Sequence, residues 1–285
     1  MIRKELVSTT AIWMENTIRD FLRSAANTLD PDTAEPAWDE PIVGFSSGAD
    51  PLYTQFKADI GRFYLTPEEI FNSSFPQRRV AAGHLTVISW VLPQTETTKS
   101  DAWKEHWYPP KRWVQSRKYG EDCNVHLHDH VVRELLRGGF PAVAPSLSPL
   151  WEMKTSKRFG MSSTWSERHA AHVAGLGTFG LCDGLITPVG KAMRCGSVVA
   201  RIAIPPTKRP YSSHHAYCLF YARGACGACI MRCPAGAISP KGHNKEKCKS
   251  YILNGALPYS SSRFGIKTHA CGLCQTKVPC ESGLP

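Results

Sequence analysis

Apolar residues recur at helical spacing over residues 12–29, where Ile12, Ile18, Phe21, Leu22 and Leu29 mark one face of an amphipathic helix. A Pro-rich break, DPDTAEPAWDEP at 30–41, leads to a short strand, IVGF. Thr66-Pro67-Glu68-Glu69 reads as a helix start, with Thr66 as cap, Pro67 in the first turn and Glu69 closing a capping box. HLTVISWVL at 84–92 has the continuous apolar run of a buried strand, and a second helix runs over about 125–137 to Gly138-Gly139. Thr164-x-x-Glu167 offers another capping box, opening a helix that ends near Ala174. SVVARIAI at 197–204 is a further strand, closed by Pro205-Pro206. Strands alternate with helices, so residues 1–210 read as one α/β domain. IPPTKRPYSSHH joins it to a small second domain at 211–285, and the chain carries no repeat beyond two groups of cysteines.

The longest apolar run, VISWVLP, is strand-sized, far short of the ~20 residues that span a bilayer, so a membrane protein is not expected. Between Leu92 and Trp113 lie four aromatics, Trp103, Trp107, Tyr108 and Trp113, in a stretch too broken for a regular element. It reads as a long loop packed onto its own domain, or as a lid or partner-binding arm. The formal charge of +10 suits an acidic electron donor, nucleic acid or a phosphorylated ligand. Ordinary solvated charge accounts for it as well, since no Lys/Arg block exceeds three residues. The N-terminal MIRKELVSTTAIWMENTIRDFL has no apolar signal region, which points to a cytoplasmic protein. There a cysteine-rich chain binds metal rather than forming disulfides.

The cysteines change the picture most. Cys226-x2-Cys229-x3-Cys233-Pro234 is part of a bacterial-ferredoxin run, whose usual first cysteine is replaced by Arg223, with Cys218 the nearest upstream thiol. Cys248, Cys271-x2-Cys274 and Cys280 follow, giving eight thiols for two four-thiolate 4Fe–4S clusters. In two-cluster proteins the cysteine before proline ligates the other cluster. That rule groups Cys218, Cys226, Cys229 and Cys280 on one cluster and Cys233, Cys248, Cys271 and Cys274 on the second. Cys274 and Cys280 are separated by five residues rather than three, a departure from the pattern. A structural zinc held by Cys226, Cys229, Cys271 and Cys274 is the plainer alternative, but it leaves four cysteines without a role.

Gly175-Leu-Gly177-Thr-Phe-Gly180 matches the dinucleotide fingerprint, yet it follows a helix and leads into a strand, the reverse of the context that motif needs. Glu167, Ala174-Gly175-Leu176-Gly177, Gly180 and Leu185-Ile186-Thr187-Pro188, followed by the two-cluster cysteines and KCKSYI around Cys248, resemble the superfamily of epoxyqueuosine reductases and reductive dehalogenases. The likeness covers roughly residues 115–285, with a fainter echo in Tyr119-Gly120-Glu121-Asp122.

The resemblance implies a nitroreductase-like α/β domain holding cobalamin, with Glu167, Gly175, Gly177, Gly180 and Thr187 at the cofactor, and a ferredoxin-like domain with two 4Fe–4S clusters. Electrons would come from an external low-potential ferredoxin or flavodoxin, pass through both clusters, and reach cobalt and then substrate. The sequence departs from the family at three places. Met161 stands where epoxyqueuosine reductases place a proton-donating aspartate, Cys123 and Asn124 follow Asp122 where Tyr and His are usual, and the chain stops five residues after Cys280. tRNA and organohalide substrates are therefore not expected. The competing reading is a ferredoxin-type electron carrier that docks on a partner, with no cofactor in its first domain.

His169, His172 and Asp122 are the candidate catalytic groups. His126, His128 and His130 spread around a helix start and read as a solvated helix end rather than a metal site. Cys123, Cys182 and Cys195 are surplus to the clusters, and small buried hydrophobe is the expected role for at least two of them. Arg168, Lys191 and Arg194 are candidates for binding acidic cofactor groups, or else are solvated surface charges.

Overall fold

The computed structural model of the chain describes residues 2–285. In order along the chain come α1 (Ile2–Leu22), β1 (Ile42–Ser47), α2 (Pro51–Ile60), α3 (Pro67–Ser74), β2 (Thr86–Pro93), α4 (Glu96–Trp103), α5 (Lys111–Gln115) and α6 (Glu121–Arg137). Next are β3 (Ala142–Val143), β4 (Met153–Ser156), β5 (Gly160–Ser163), α7 (Glu167–Val173), β6 (Thr178–Phe179), β7 (Leu185–Ile186) and β8 (Met193–Ala200). The cysteine-rich stretch adds α8 (Leu219–Arg223), α9 (Ala228–Met231), β9 (Ile238–Ser239), β10 (Gly242–His243), α10 (Lys245–Tyr251) and α11 (Leu257–Phe264).

Helices and strands mix as expected, but every ladder is antiparallel. The main sheet has the order β1-β2-β8-β3, with Ile42 opposite Val91 and Ser89 opposite Ser197. All eight residues of β2 are buried, because helices cover both faces of the sheet, which is why the strand is apolar without alternation. On one face α1 and α6 pack Met14, Ile18, Leu22, Leu127, Val131 and Leu135 against Ile88, Trp90 and Leu92. On the other, α2, α3 and α7 bring Tyr53, Ile70, Phe71, Ala170 and Val173 against Val87 and Val199.

Several boundaries differ from the sequence reading. The first helix ends at Leu22, and Ile12 is 54% exposed while Met14 takes the buried position. α6 begins at Glu121 and continues back through a π-helical turn at 116–120 to α5. β8 starts at Met193 and ends at Ala200, where Arg201 turns to bond the carbonyl of Pro141. The Thr66 capping box forms as read, each side chain bonding the other's backbone. The Thr164 box does not: Ser166 is the residue before the helix, and the Thr164 hydroxyl instead accepts from Glu152 N at 3.0 Å and donates to Leu150 O at 2.9 Å.

The histidine reading is also corrected. His126 is exposed, but His128 is 2% exposed, and His130 lies against Phe21 with ring centroids 5.0 Å apart. Because β3 pairs only with Val199 and Ala200, the backbone of β8 before them needs other partners. α6 supplies them one turn apart. Asn124 Nδ2 donates to Cys195 O at 3.2 Å, and His128 Nε2 accepts from Ser197 N at 3.3 Å. His128 is thus a structural group of the sheet edge.

Candidate metal centre

The four thiols of the first predicted set meet. Cys218 stands just before α8, Cys226 and Cys229 flank the start of α9, and Cys280 arrives from the chain's far end. All four line one cavity, together with Gly180, Leu181, Ile186 and Lys191. Cys226 holds φ +78°, a left-handed backbone that a non-glycine residue adopts only where its surroundings enforce it.

The second set is grouped more loosely. Burial pushes the Cys271 thiol up to about 11, and Cys248 and Cys233 stand close enough to add to that rise. Cys233 Sγ accepts from Ala237 N at 3.3 Å. Cys274 sits beside Cys182, whose thiol also contacts Cys229, so Cys182 lies between the two sets. Among the described residues no three His, Cys, Asp or Glu side chains converge closely enough to hold a single ion. Thiolates on a cubane each bind a different iron, so a cluster site does not require that convergence. A four-cysteine zinc site does, and Cys226, Cys229, Cys271 and Cys274 do not form one.

Cys280 is positioned by backbone. Lys191 N donates to Cys280 O at 2.9 Å and Ala192 N to Glu281 O at 3.2 Å. This approach passes over Gly190, which has φ +83° and no room for a Cβ beside the Glu281 carbonyl. Glu281 is itself buried, and its carboxylate accepts from Trp103 Nε1, 2.8 Å from Oε1, and from Lys277 N at Oε2. Arg232 Nη1 reaches Glu105 O at 2.8 Å and Nε reaches Thr276 O at 3.1 Å, tying α9 to the segment after α4 and to the loop after Cys274. Trp113 fills the space over Gly272, and Tyr108 stacks on Tyr259 at 4.4 Å. The aromatic stretch therefore contains two helices and grips the cysteine-rich segment, instead of lying as a loop on its own domain.

The surplus cysteines divide as expected. Cys123 and Cys195 are buried in the main cores, and burial pushes each thiol up to about 12. Cys182 differs, since it packs with Cys218 and Cys229. Lys191 Nζ lies 3.4 Å from Cys182 Sγ, and the side chain is 3% exposed, so it is no surface charge. Burial works against its charge, yet Cys182, Cys280, Cys274 and Cys229 around it hold its pKa above lysine's usual value. Arg194 instead pairs with Glu121 at 2.6 Å, and exposed Arg168 donates to Asp183 O at 2.8 Å. Sequence reasoning missed Gly190 and the bridging place of Cys182. The turn Thr187-Pro-Val-Gly190 was the visible sign of the first, and nothing local marked the second.

The glycine run lies between α7 and the β6–β7 hairpin, with Gly175 at φ +79° ending the helix. Its outer face is taken by the chain itself. Tyr211 OH donates to His172 O at 2.6 Å and accepts from Gly177 N at 3.2 Å, while its ring stacks on His172 at 5.0 Å. Lys208 O would meet a Cβ on Gly175 at 2.8 Å, and Ile186 O closes the space over Gly177. Thr187 Oγ1 is used by its own turn, donating to Gly190 O at 2.6 Å. Glu167 turns into the sheet to meet Ser197 Oγ, leaving Oε1 without a hydrogen-bond partner and 3.8 Å from His128 Nε2. Residues 207–217 thus cover Gly175 and Gly177, and Thr187 is engaged in its own turn.

Asp122 is half-exposed on α6, paired with Lys118 at 2.6 Å. His169 lies among Phe56, Tyr64 and Phe179, with burial pushing its pKa down to about 3. Burial likewise pushes His172 down to about 4, against the opposing effect of its bond to Gly177 O. Both rings are therefore neutral at pH 7 and poor proton donors there. Their depressed values make the unfolded chain the stronger proton binder below pH 6.5, so stability is full above that pH and falls as pH drops toward 4. For His172 the loss at pH 5 is ~2 kcal/mol. Proton NMR should show the His172 ring holding its neutral shift from pH 8 to 5, and a midpoint near 6.5 would contradict this environment.

No family model matches the chain. The epoxyqueuosine reductase of Francisella cf. novicida (strain Fx1) is 26% identical over 170 residues, 58% of this chain and 45% of that protein. Among solved structures, a catabolic reductive dehalogenase in complex with 3-bromo-4-hydroxybenzoic acid aligns with 96% of this chain and 37% of its own, at a TM-score of 0.52 and 15% identity. A second, described as suggesting a mechanism for B12-dependent dehalogenation, aligns with 82% of this chain and 29% of its own, at 0.50 and 17%. The chain thus resembles an epoxyqueuosine reductase in sequence and reductive dehalogenases in fold. It spans less than half the length of each of these relatives. Among the described residues no helix is long and apolar enough to cross a membrane.

Proposed function

We propose that this chain is an iron–sulfur oxidoreductase holding two 4Fe–4S clusters in a ferredoxin-like domain at 211–285, set against a nitroreductase-like α/β domain at 1–210. The observation that carries the reading is the meeting of Cys218, Cys226, Cys229 and Cys280 around one cavity, although 62 residues separate the first thiol from the last. That donor set matches the cross-over grouping that the Cys233-Pro234 spacing implies. Cys233, Cys248, Cys271 and Cys274 are assigned to the second cluster. The clusters supply one-electron storage. The protein contributes the thiolates, the Gly190 turn that delivers Cys280, and the Trp103–Glu281 and Arg232 contacts that fix the cysteine segment on the α/β layer.

The electron acceptor admits two readings. The first, carried by likeness to the epoxyqueuosine reductases, is a corrinoid or a substrate held by the α/β domain. The second is an electron carrier that reduces a partner protein, and the packing of Tyr211 and Lys208 over the glycine run favours it. An anaerobic titration of the iron-loaded protein with cob(II)alamin, followed by electron paramagnetic resonance, separates them. Absence of a base-off spectrum at stoichiometric cofactor is the expected result for the carrier. Conversion to base-off cobalamin means that residues 207–217 lift from the glycine run and that the reductase reading holds.

A further inference from the structure

Lys191 serves the thiols with both its backbone and its side chain. Its N–H holds the Cys280 carbonyl, its stem lines the cavity with Cys218, Cys226 and Cys229, and its ammonium lies 3.4 Å from Cys182 Sγ. Cys182 in turn touches Cys229 of the first set and Cys274 of the second. With the residue 3% exposed, water screens the ammonium less than it would at the surface, so its field acts more strongly on neighbouring charge.

Resting on the two-cluster reading, we infer that Lys191 is the fixed cation between the clusters and sets the reduction potential of the one held by Cys218, Cys226, Cys229 and Cys280. A 4Fe–4S centre gains one negative charge when it takes up an electron, and a buried ammonium beside it stabilises that reduced form. Net charge and burial are among the levers that spread such potentials over hundreds of millivolts. Hydrogen-bonding Cys182 keeps the ammonium from swinging toward solvent, which makes Cys182 a positioning residue rather than a ninth ligand.

The test is a dithionite redox titration of reconstituted protein monitored by electron paramagnetic resonance, comparing wild type with K191M, K191Q and K191R. Neutral variants that keep their iron should show at least a tenfold smaller ratio of reduced to oxidised cluster at a fixed potential, equivalent to about 59 mV for one electron, while K191R stays within threefold of wild type. A K191M or K191Q protein with full iron and an unchanged midpoint overturns the inference. If the neutral variants lose iron, the wild type decides. With ¹⁵N-lysine incorporated, the reduced cluster should show coupling to one lysine nitrogen by pulsed resonance, and no such coupling overturns the inference. Wild type that binds no iron refutes the cluster reading instead, so the two failures are distinct.

Discussion

Replacing Gly190 by alanine is expected to cost the protein about half its iron. The backbone there has φ +83°, a conformation that costs an L-residue roughly 1–2 kcal/mol. The larger effect is steric, since the new Cβ would occupy the place of the Glu281 carbonyl. Backbone on both sides is fixed, by Lys191 N and Ala192 N on one strand and by Trp103 on Glu281 from the other direction. No flexible side-chain end is available to give way, so residues 280–282 must move and Cys280 leaves the cavity. Iron and sulfide analysis with thermal denaturation measures both consequences. Full iron and an unchanged melting temperature would show that Cys280 is not held by this turn.

Serine substitutions across the two thiol sets give the second large effect. Cys226→Ser or Cys229→Ser should remove the first cluster and leave about four irons, and Cys248→Ser or Cys271→Ser should remove the second with the same remainder. The visible absorbance should fall in step. Cys182→Ser should keep all the iron, because Cys182 lies between the sets without belonging to either. Iron content unchanged by Cys226→Ser contradicts the ligand assignment, and loss of iron from Cys182→Ser contradicts the count of eight ligands.

The parts legible in the sequence are those decided by neighbours along the chain. Thr66 and Glu69 form their capping box because both partners lie within one turn. β2 is readable because burial on both faces leaves a continuous apolar run. The Thr164 box fails although its spacing is identical, because Leu150 and Glu152 from a neighbouring segment capture the hydroxyl. His128 is invisible as a buried group for the same reason: its partner, Ser197 N, lies 69 residues away on a strand whose edge is incomplete. Spacing alone grouped Cys218, Cys226, Cys229 and Cys280, which line one cavity. It gave no hint that Cys182 and Lys191 come between the sets, since the β6–β7 hairpin delivers the first and the turn before β8 the second, both far upstream of α9. The glycine run was read rightly as a helix end, but the covering of its face by Tyr211 depends on the path of the linker, which composition does not specify.

The most direct test of the account is the iron and acid-labile sulfide content of wild-type protein reconstituted without oxygen, with its resonance spectrum after reduction. Two cubane clusters predict about eight irons and eight sulfides per chain and a signal broadened by interaction between two paramagnetic centres. About one zinc per chain, with no labile sulfide and no signal, would contradict it.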